Sequence, residues 1–422
     1  MTEEFLQYVW KYALYEQKPY FSDTGEEIII IHQGEQNFDS GPDFTNTKIK
    51  IGDTIWVGNC EVHLNTADWE KHGHTENKAY NNIILHVVAK HNNSVVINKL
   101  NPIPTIELSF DKSLIENYNS LVSSKQWVSC ASKIQTIEKI KWVQWLTFLA
   151  IERLENKSVE IVQQLEKSQF HWEEAFYIFL ARSFGFKVNS MPFELLAKSI
   201  PLNILGKHKN NLFQIEALFF GQSGLLENAV EDYSKALANE YIFLQKKYQL
   251  KPIEGHLWKF MRLRPYNFPT IRIAQFASLV HNSTGLFSKV IEAKNSEELQ
   301  QMFTVEASDY WTDHFRFEVQ SKSKVKNLTD DSIHILLINA VIPFIFVYGK
   351  LKNIAEQVDK SLEMLESLGS EQNSIIKGWD NIGFKAQNAF ETQALLQLKN
   401  VYCDKKKCLN CAIGNNLIPS NL

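Results

Sequence analysis

Two short stretches near the start of the chain carry residue types that do chemistry together. "SGPDF" sets Asp43 just past a Gly-Pro pair, and "NCEVHLN" sets Glu61 and His63 two positions apart. In an extended strand alternate side chains share a face, so Glu61 and His63 project to the same side. "IGDT" at 51–54 is a hairpin signal with its turn near 52–53. Such a hairpin lays 45–51 against 54–64 and brings Asp43 roughly opposite residues 61–63. Two carboxylates and an imidazole then converge, which is what a hard divalent cation such as Mg²⁺ or Mn²⁺ needs. In this reading Asp43 and Glu61 hold the ion, and His63 orients the attacking water or accepts its proton. Glu61 is expected on a solvated site and not in the core.

More histidine lies close by. Four of the twelve histidines, His63, His72, His74 and His86, fall within residues 63–86. His72 and His74 form "HGH", which reads as a loop able to close over a metal or a phosphate. His86 interrupts an apolar run (Ile83, Ile84, Leu85, Val87, Val88). Alone, such a histidine reads as hydrogen-bonded in the core. Zinc held by His63, His74 and His86, with Glu61 as base, is the alternative chemistry of the same region.

A second cluster is made of thiols. Of five cysteines, Cys403, Cys408 and Cys411 crowd into "YCDKKKCLNCAIG". C-x4-C-x2-C opens the plant-type iron–sulfur pattern and also suits a zinc knuckle. No cysteine follows it, so a fourth ligand comes from upstream, and Cys130 is the expected one. Cys60 points away from Glu61 and is expected in the core. A third stretch, "HLWKFMRLRPYNFPTIRIAQFA" at 256–277, interleaves Lys259, Arg262, Arg264 and Arg272 with aromatic rings, Tyr266 among them. Guanidinium on phosphate and ring on base is how such a segment would follow a strand of DNA or RNA; the bland alternative is arginines satisfying buried carbonyls. "FFGQSGLLE" lacks the Lys-Ser/Thr of a phosphate-binding loop, and no nucleophile elbow occurs.

The elements that position these groups follow from the periodicity. Residues 2–17 have helical spacing. Segments 27–33, 47–53, 54–65, 81–91, 93–100 and 105–110 are rich in Ile and Val, bounded by turn formers, and read as strands. Beyond about residue 112 helical spacing dominates: 134–167, 171–184, 211–220, 227–248, 270–281, 330–349, 352–368 and 386–399. The expected fold class is α+β, a small mainly antiparallel sheet domain over 1–111 followed by an α-helical domain over 112–422 that carries the cysteine cluster. With 422 residues, 44 % of them apolar, and a net charge of −4, a large core is possible and a chain-wide basic field is excluded. The acidic start does not resemble a secretory leader. The longest apolar run, 333–349, contains Asn339 and Pro343 and reads as a buried helix kinked at the proline; no membrane partner is expected. An odd cysteine count suits a reducing cytoplasm.

Asp43 in "GPDF" with Glu61 and His63 in "EVH" resembles the PD-(D/E)xK nuclease core, with His63 standing where that core has lysine. The resemblance implies a restriction-endonuclease-like fold and metal-dependent phosphodiester hydrolysis, with an acid on a helix for which Glu4 and Glu16 are candidates. Some nucleases of that kind hold a [4Fe–4S] cluster between one distant cysteine and three C-terminal ones, which is the pattern of Cys130 with the C-terminal trio. At full length, "GEQNFDSGPDF", "GNCEVHLNTADWEKHGH", "YNNIILHVV" and "YCDKKKCLNCAIGN" resemble an uncharacterised bacterial family, domain of unknown function 2851, common in Bacteroidetes. A non-catalytic binding or scaffold protein with a structural metal at the cysteines is the competing expectation.

Overall fold

In a computed structural model of the chain, which describes residues 1–22, 25–92, 96–97 and 101–419, the protein divides into two compact units. One is Met1–Trp145 with Leu398–Leu422, the other Leu146–Gln397.

The first unit opens with helix α1 (Glu3–Lys11). Thr2 caps it by accepting from the Phe5 N–H, Glu3 and Glu4 suit the positive end of its dipole, and Phe5, Leu6, Val9 and Trp10 are buried. The helical spacing expected to run to residue 17 ends early. Ala13 turns into the left-handed region at φ +51°. Tyr15 then leaves the helix to bridge Phe110 in extended form and stacks its ring on Trp10. Tertiary pairing outweighs local propensity there.

The sheet is built from β1 (Tyr20–Phe21), β2 (Glu27–His32), β3 (Glu35–Gln36), β4 (Phe44–Ile51), β5 (Thr54–Asn65), β6 (Ile83–Lys90) and, after a separate two-stranded pair β7 (Val96–Ile97) and β8 (Asn101–Pro102), β9 (Thr105–Glu107). The order is β1-β2-β4-β5-β6-β9, with β3 also on β4. Among the described residues its pairings are antiparallel except β5–β6 and β6–β9, which are parallel. Most of the strand expected over 93–100 lies outside the described residues. Those parallel pairings demand a crossover between β5 and β6. It is made by the one-turn helix α2 (Asp68–Lys71) and two short 3-10 turns. Trp69, Tyr80, Ile83 and Ile103 form an apolar cluster under it.

β4 and β5 form the expected hairpin, with Ile51 opposite Thr54 and Phe44 opposite Cys60. One extra residue is bulged out near Asn46, which is left-handed at φ +57°. The boundary expected at 111/112 falls inside this unit. Helix α3 (Lys112–Ser123) and the segment that carries Cys130 belong to it, and so do the C-terminal cysteines. Asn117 donates to the Ile418 carbonyl at 3.0 Å, and Lys406 donates to the Ser124 carbonyl at 2.7 Å and Ser129 Oγ at 2.8 Å.

The second unit is helical apart from a small ribbon, His314–Arg316 with Val319–Gln320, among the described residues. Its central helix runs Asp330–Lys352, and among the described residues it is the one helix long and apolar enough to cross a membrane. Leu336–Val341 and Ile342–Val347 are nearly all buried within the unit, as expected of a core helix. The expected kink takes the form of a π-helical turn at Leu337–Val341 just before Pro343. The proline has no N–H to return to the preceding turn. Lys157 Nζ donates instead to the Ile338 carbonyl at 3.2 Å and to Asn339 Oδ1 at 3.0 Å.

Candidate metal centre

The hairpin register sets the acids. With Phe44 opposite Cys60, Asp43 falls beside Glu61, and two hydrogen bonds lock the pair: the Asp43 N–H donates to Glu61 Oε2, and the Val62 N–H donates to Asp43 Oδ2, each at 3.0 Å. Asn37 holds the loop leading in, donating its N–H to the Asp43 carbonyl and its side-chain amide to the Pro42 carbonyl. Cys60, one residue before Glu61, is fully buried on the other face as expected.

Glu61 is not solvated, contrary to expectation: it is 4 % exposed. The parallel strand β6 runs alongside β5 with His86 level with Glu61, and the crossover carrying Trp69 and Tyr80 packs over the histidines beside it. Neither parallel strand nor crossover can be read from an alternating pattern alone.

The imidazoles complete the site. His63 is fully buried. Its Nδ1 lies 2.9 Å from His86 Nε2, and its Nε2 lies 3.2 Å from His72 Nδ1 and 3.7 Å from Glu61 Oε1. His74 Nε2 stands 3.3 Å from the same Glu61 oxygen, off the direction of a hydrogen bond. Gly73 makes the "HGH" geometry possible: at φ +71° it turns the chain between two histidines that both face His63. Trp69 presents its ring edge-on to His63, His74 and His86, and its Nε1 is held by Thr75 Oγ1 at 3.0 Å; Tyr80 stacks on His74. His63, His72 and His74 are the group among the described residues whose donor nitrogens all lie within 4.8 Å of one another. His86 is not one of the three. It sits behind His63 and engages its far nitrogen. His72, exposed, stands at the mouth.

Burial sets the protonation, and at Glu61 the neighbouring acid adds to it. Burial pushes Glu61 up to about 8, and the neighbouring Asp43 carboxyl adds to it; burial raises Asp43 to about 6 against hydrogen bonds from Val62 and Gln7. His63 is pushed down to about 3 by burial and by the three other imidazoles, so it is a neutral ring with a lone pair to give. His74 is lowered too, mainly by burial.

Two site residues were missed in the sequence. Glu3, half-buried on α1, has its pKa raised by burial and then by Asp43, and in turn raises Glu61; Gln7, one turn later, hydrogen-bonds Asp43. Glu3 is the acid of α1 that raises Glu61; Glu4 and Glu16 are not among the groups that perturb Asp43 or Glu61. The signal was present: Glu3 and Gln7 are i, i+4 neighbours on one helix face.

The thiols also gather. Cys130, Cys403, Cys408 and Cys411 line one small cavity, as expected from the spacing. A Cβ on Gly414 would run into the Cys408 carbonyl, so the tight return of the chain requires glycine there. Burial raises every one of these thiols, Cys130 to about 12 and Cys411 to about 11, and the neighbouring cysteines raise Cys130 and Cys403 further. The backbone N–H groups of Ile413 and Gly414 work the other way on Cys411.

The basic–aromatic segment is divided. Lys259, Arg262 and Arg264 are exposed, and Tyr266 is half-buried with its ring edge-on to Phe315. Arg272 is 4 % exposed and belongs to the interior.

A family model described as a protein of unknown function (DUF2851) matches residues 3–374. No curated protein and no solved structure matches the chain.

Proposed function

The chain belongs to that uncharacterised family, and from the geometry of its acid–imidazole cluster we propose that it is a metal-dependent phosphodiesterase acting on nucleic acid. The observation that carries the reading is the convergence of His63, His72 and His74 on one another, with Glu61 against His63 and His74 and Asp43 locked beside it. Asp43 at the mouth of β4, Glu61-x-His63 on its hairpin partner and an acid on α1 also follow the layout of the PD-(D/E)xK core.

The donor set fits an ion. Ligands about 2.0–2.1 Å from one tetrahedral centre stand about 3.3 Å apart. His63 Nε2 to His72 Nδ1 is 3.2 Å and His74 Nε2 to Glu61 Oε1 is 3.3 Å. Neutral imidazoles with a carboxylate favour Mn²⁺ or Zn²⁺ over Mg²⁺, which prefers oxygen and water. His63, His72, His74 and Glu61 would hold the ion. His86, accepting from His63 Nδ1–H, would fix the tautomer that leaves His63 Nε2 free to bind. A ring held neutral down to about pH 3 is a poor proton acceptor and a good ligand. That moves His63 from the water-activating role expected of it to a binding role. A bound divalent ion would supply Lewis acidity, acidifying the attacking water and offsetting charge on the phosphoryl oxygens. Asp43, near 6, is the carboxylate matched to take the water's proton at neutral pH. The exposed Lys259, Arg262 and Arg264 would bind DNA or RNA phosphates.

The four cysteines are proposed as a second, structural centre. Thiolates on one zinc at about 2.3 Å stand about 3.8 Å apart. Four thiols around one cavity suit a zinc ion or an iron–sulfur cluster alike.

The test is anaerobic purification with metal analysis and an absorption spectrum, followed by cleavage assays on single- and double-stranded DNA and RNA with Mn²⁺, Zn²⁺ and Mg²⁺. Equal cleavage by the wild type and Glu61→Gln under every condition would remove the enzyme and leave a binding protein.

A further inference from the structure

The helical unit contains a pocket of about 480 Å³ lined in part by Arg272, Phe186, Asn267, Arg264 and Ser332. Its volume is that of a small-molecule site. Arg272 sits in the first turn of the helix Pro269–Asn282 and is 4 % exposed. Its guanidinium donates to Gln275 Oε1 at 3.0 Å, Asn267 Oδ1 at 2.7 Å and Ser332 Oγ at 2.9 Å, and the Phe186 ring covers it at 4.5 Å. Its Nε, also buried, has no partner. None of its partners is charged, and among the described residues no carboxylate forms an ion pair with it. Burial alone lowers it, to about 10, with no acid to oppose the shift. A buried guanidinium without a counter-ion is costly and is rarely retained for packing.

The backbone around it carries the same sign. Three helices begin at the pocket wall: Ser190–Ser199 behind Asn189, Pro269–Asn282, and the long helix Asp330–Lys352 behind Thr329. Each helix start brings the positive end of its dipole there, with Thr329 capping the Ser332 N–H at the third and Pro269 carrying no N–H at the second. Phe186 is left-handed at φ +49°, a strained state for an aromatic residue, and it places its ring on the guanidinium. Arg264 adds a second, exposed cation, and Tyr266 a second ring. Asp331, exposed, is the one acid among the lining residues.

We propose that this pocket binds a phosphate monoester on a nucleotide-sized body, the phosphoryl group against Arg272 and the three helix starts and the organic part against Phe186 and Tyr266. The source of that chemistry is a free 5′-nucleotide or the 5′-phosphorylated end of a nucleic-acid strand. The site lies within one unit, uses none of the proposed metal ligands, and does not depend on the hydrolytic reading.

Binding is measured by calorimetry on the full chain with chelator present, so that hydrolysis plays no part. The probes are 5′-AMP, adenosine, and a short single-stranded oligonucleotide with a 5′-phosphate or a 5′-hydroxyl. The phosphorylated member of at least one pair is expected to bind tenfold or more tightly than its partner. Arg272→Met should abolish that preference and Arg264→Gln should reduce it. Preference within the nucleotide pair assigns the free nucleotide, and preference within the oligonucleotide pair alone assigns the strand end. No preference in either pair, or a preference that survives Arg272→Met, overturns the site. Should Arg272→Met fail to fold, the wild-type preference and its loss in Ser332→Ala decide. Glu61→Gln should keep the preference whether or not it cleaves anything, which separates failure here from failure of the hydrolytic reading.

Discussion

The acid–imidazole cluster and the Arg272 pocket are both polar sites set into an apolar interior, yet they are frustrated in opposite senses. In the first, burial raises two adjacent carboxyl groups, Asp43 raises Glu61 further, and burial lowers His63 and His74. In the second, a guanidinium lies buried with only neutral partners. Each lacks a charge of definite sign, a cation in one and an anion in the other. A fold does not need such imbalance for stability, since replacing a buried charge with a neutral group of similar shape is often neutral or stabilising. The comparison suggests that both sites are shaped by a ligand.

The largest effect should come from removing the acid. Glu61→Gln should lower Mn²⁺- or Zn²⁺-dependent cleavage by on the order of 10³-fold, read in a gel or fluorescence assay. The same change should stabilise the metal-free protein by about 2 kcal/mol at pH 7, because the native site resists ionising Glu61. A fall in stability would break the parallel with Arg272.

The thiol centre should respond with the opposite sign. Cys411→Ser should lower metal content and reduce stability by about 3 kcal/mol or more, a melting shift of about 10 °C, because a structural metal contributes directly to folding. Unchanged melting would reduce the four cysteines to buried thiols.

A smaller effect tests the arrangement behind the ligands. His86→Phe keeps the bulk and removes the partner of His63 Nδ1. Metal affinity should fall by about 10–100-fold with the fold retained, checked by titration with Mn²⁺ or Zn²⁺. No change would mean that His86 is a core histidine and nothing more.

The smallest expected effect is in pH. Glu61 is raised from its ordinary value to about 8. The folded state therefore holds that proton more tightly than the unfolded chain. Its contribution is complete below the unfolded value and is lost as pH rises towards 8. The metal-free wild type should thus lose stability relative to Glu61→Gln between about pH 5 and 8, and saturating metal should cancel the loss by replacing the proton. A difference independent of pH would deny the raised Glu61.

Much of this was legible because it was local. A two-residue turn at Gly52–Asp53 brings Asp43 level with residues 61–63, and alternation sets Glu61 and His63 on one face; the bulge near Asn46 then puts Asp43 beside Glu61. The spacing of Cys403, Cys408 and Cys411 announced a shared site, which Cys130 also lines. Residue types and a period of two suffice for such inferences.

Other features follow only from the fold. The parallel pairing of β6 with β5 places His86 behind His63, because registry between strands separated by a crossover is fixed by packing around Trp69 and Tyr80 and not by any local pattern. That cover also buries Glu61, which alternation alone would leave at the surface. Glu3 reaches the acids because α1 lies against the sheet, a contact its own sequence does not specify. Arg272 reads in sequence as one of four cations in a basic stretch, for a nucleic-acid strand or for buried carbonyls and acids. Only the meeting of three helix starts with the Phe186 ring makes it an interior charge, since desolvation depends on which distant segments exclude the water.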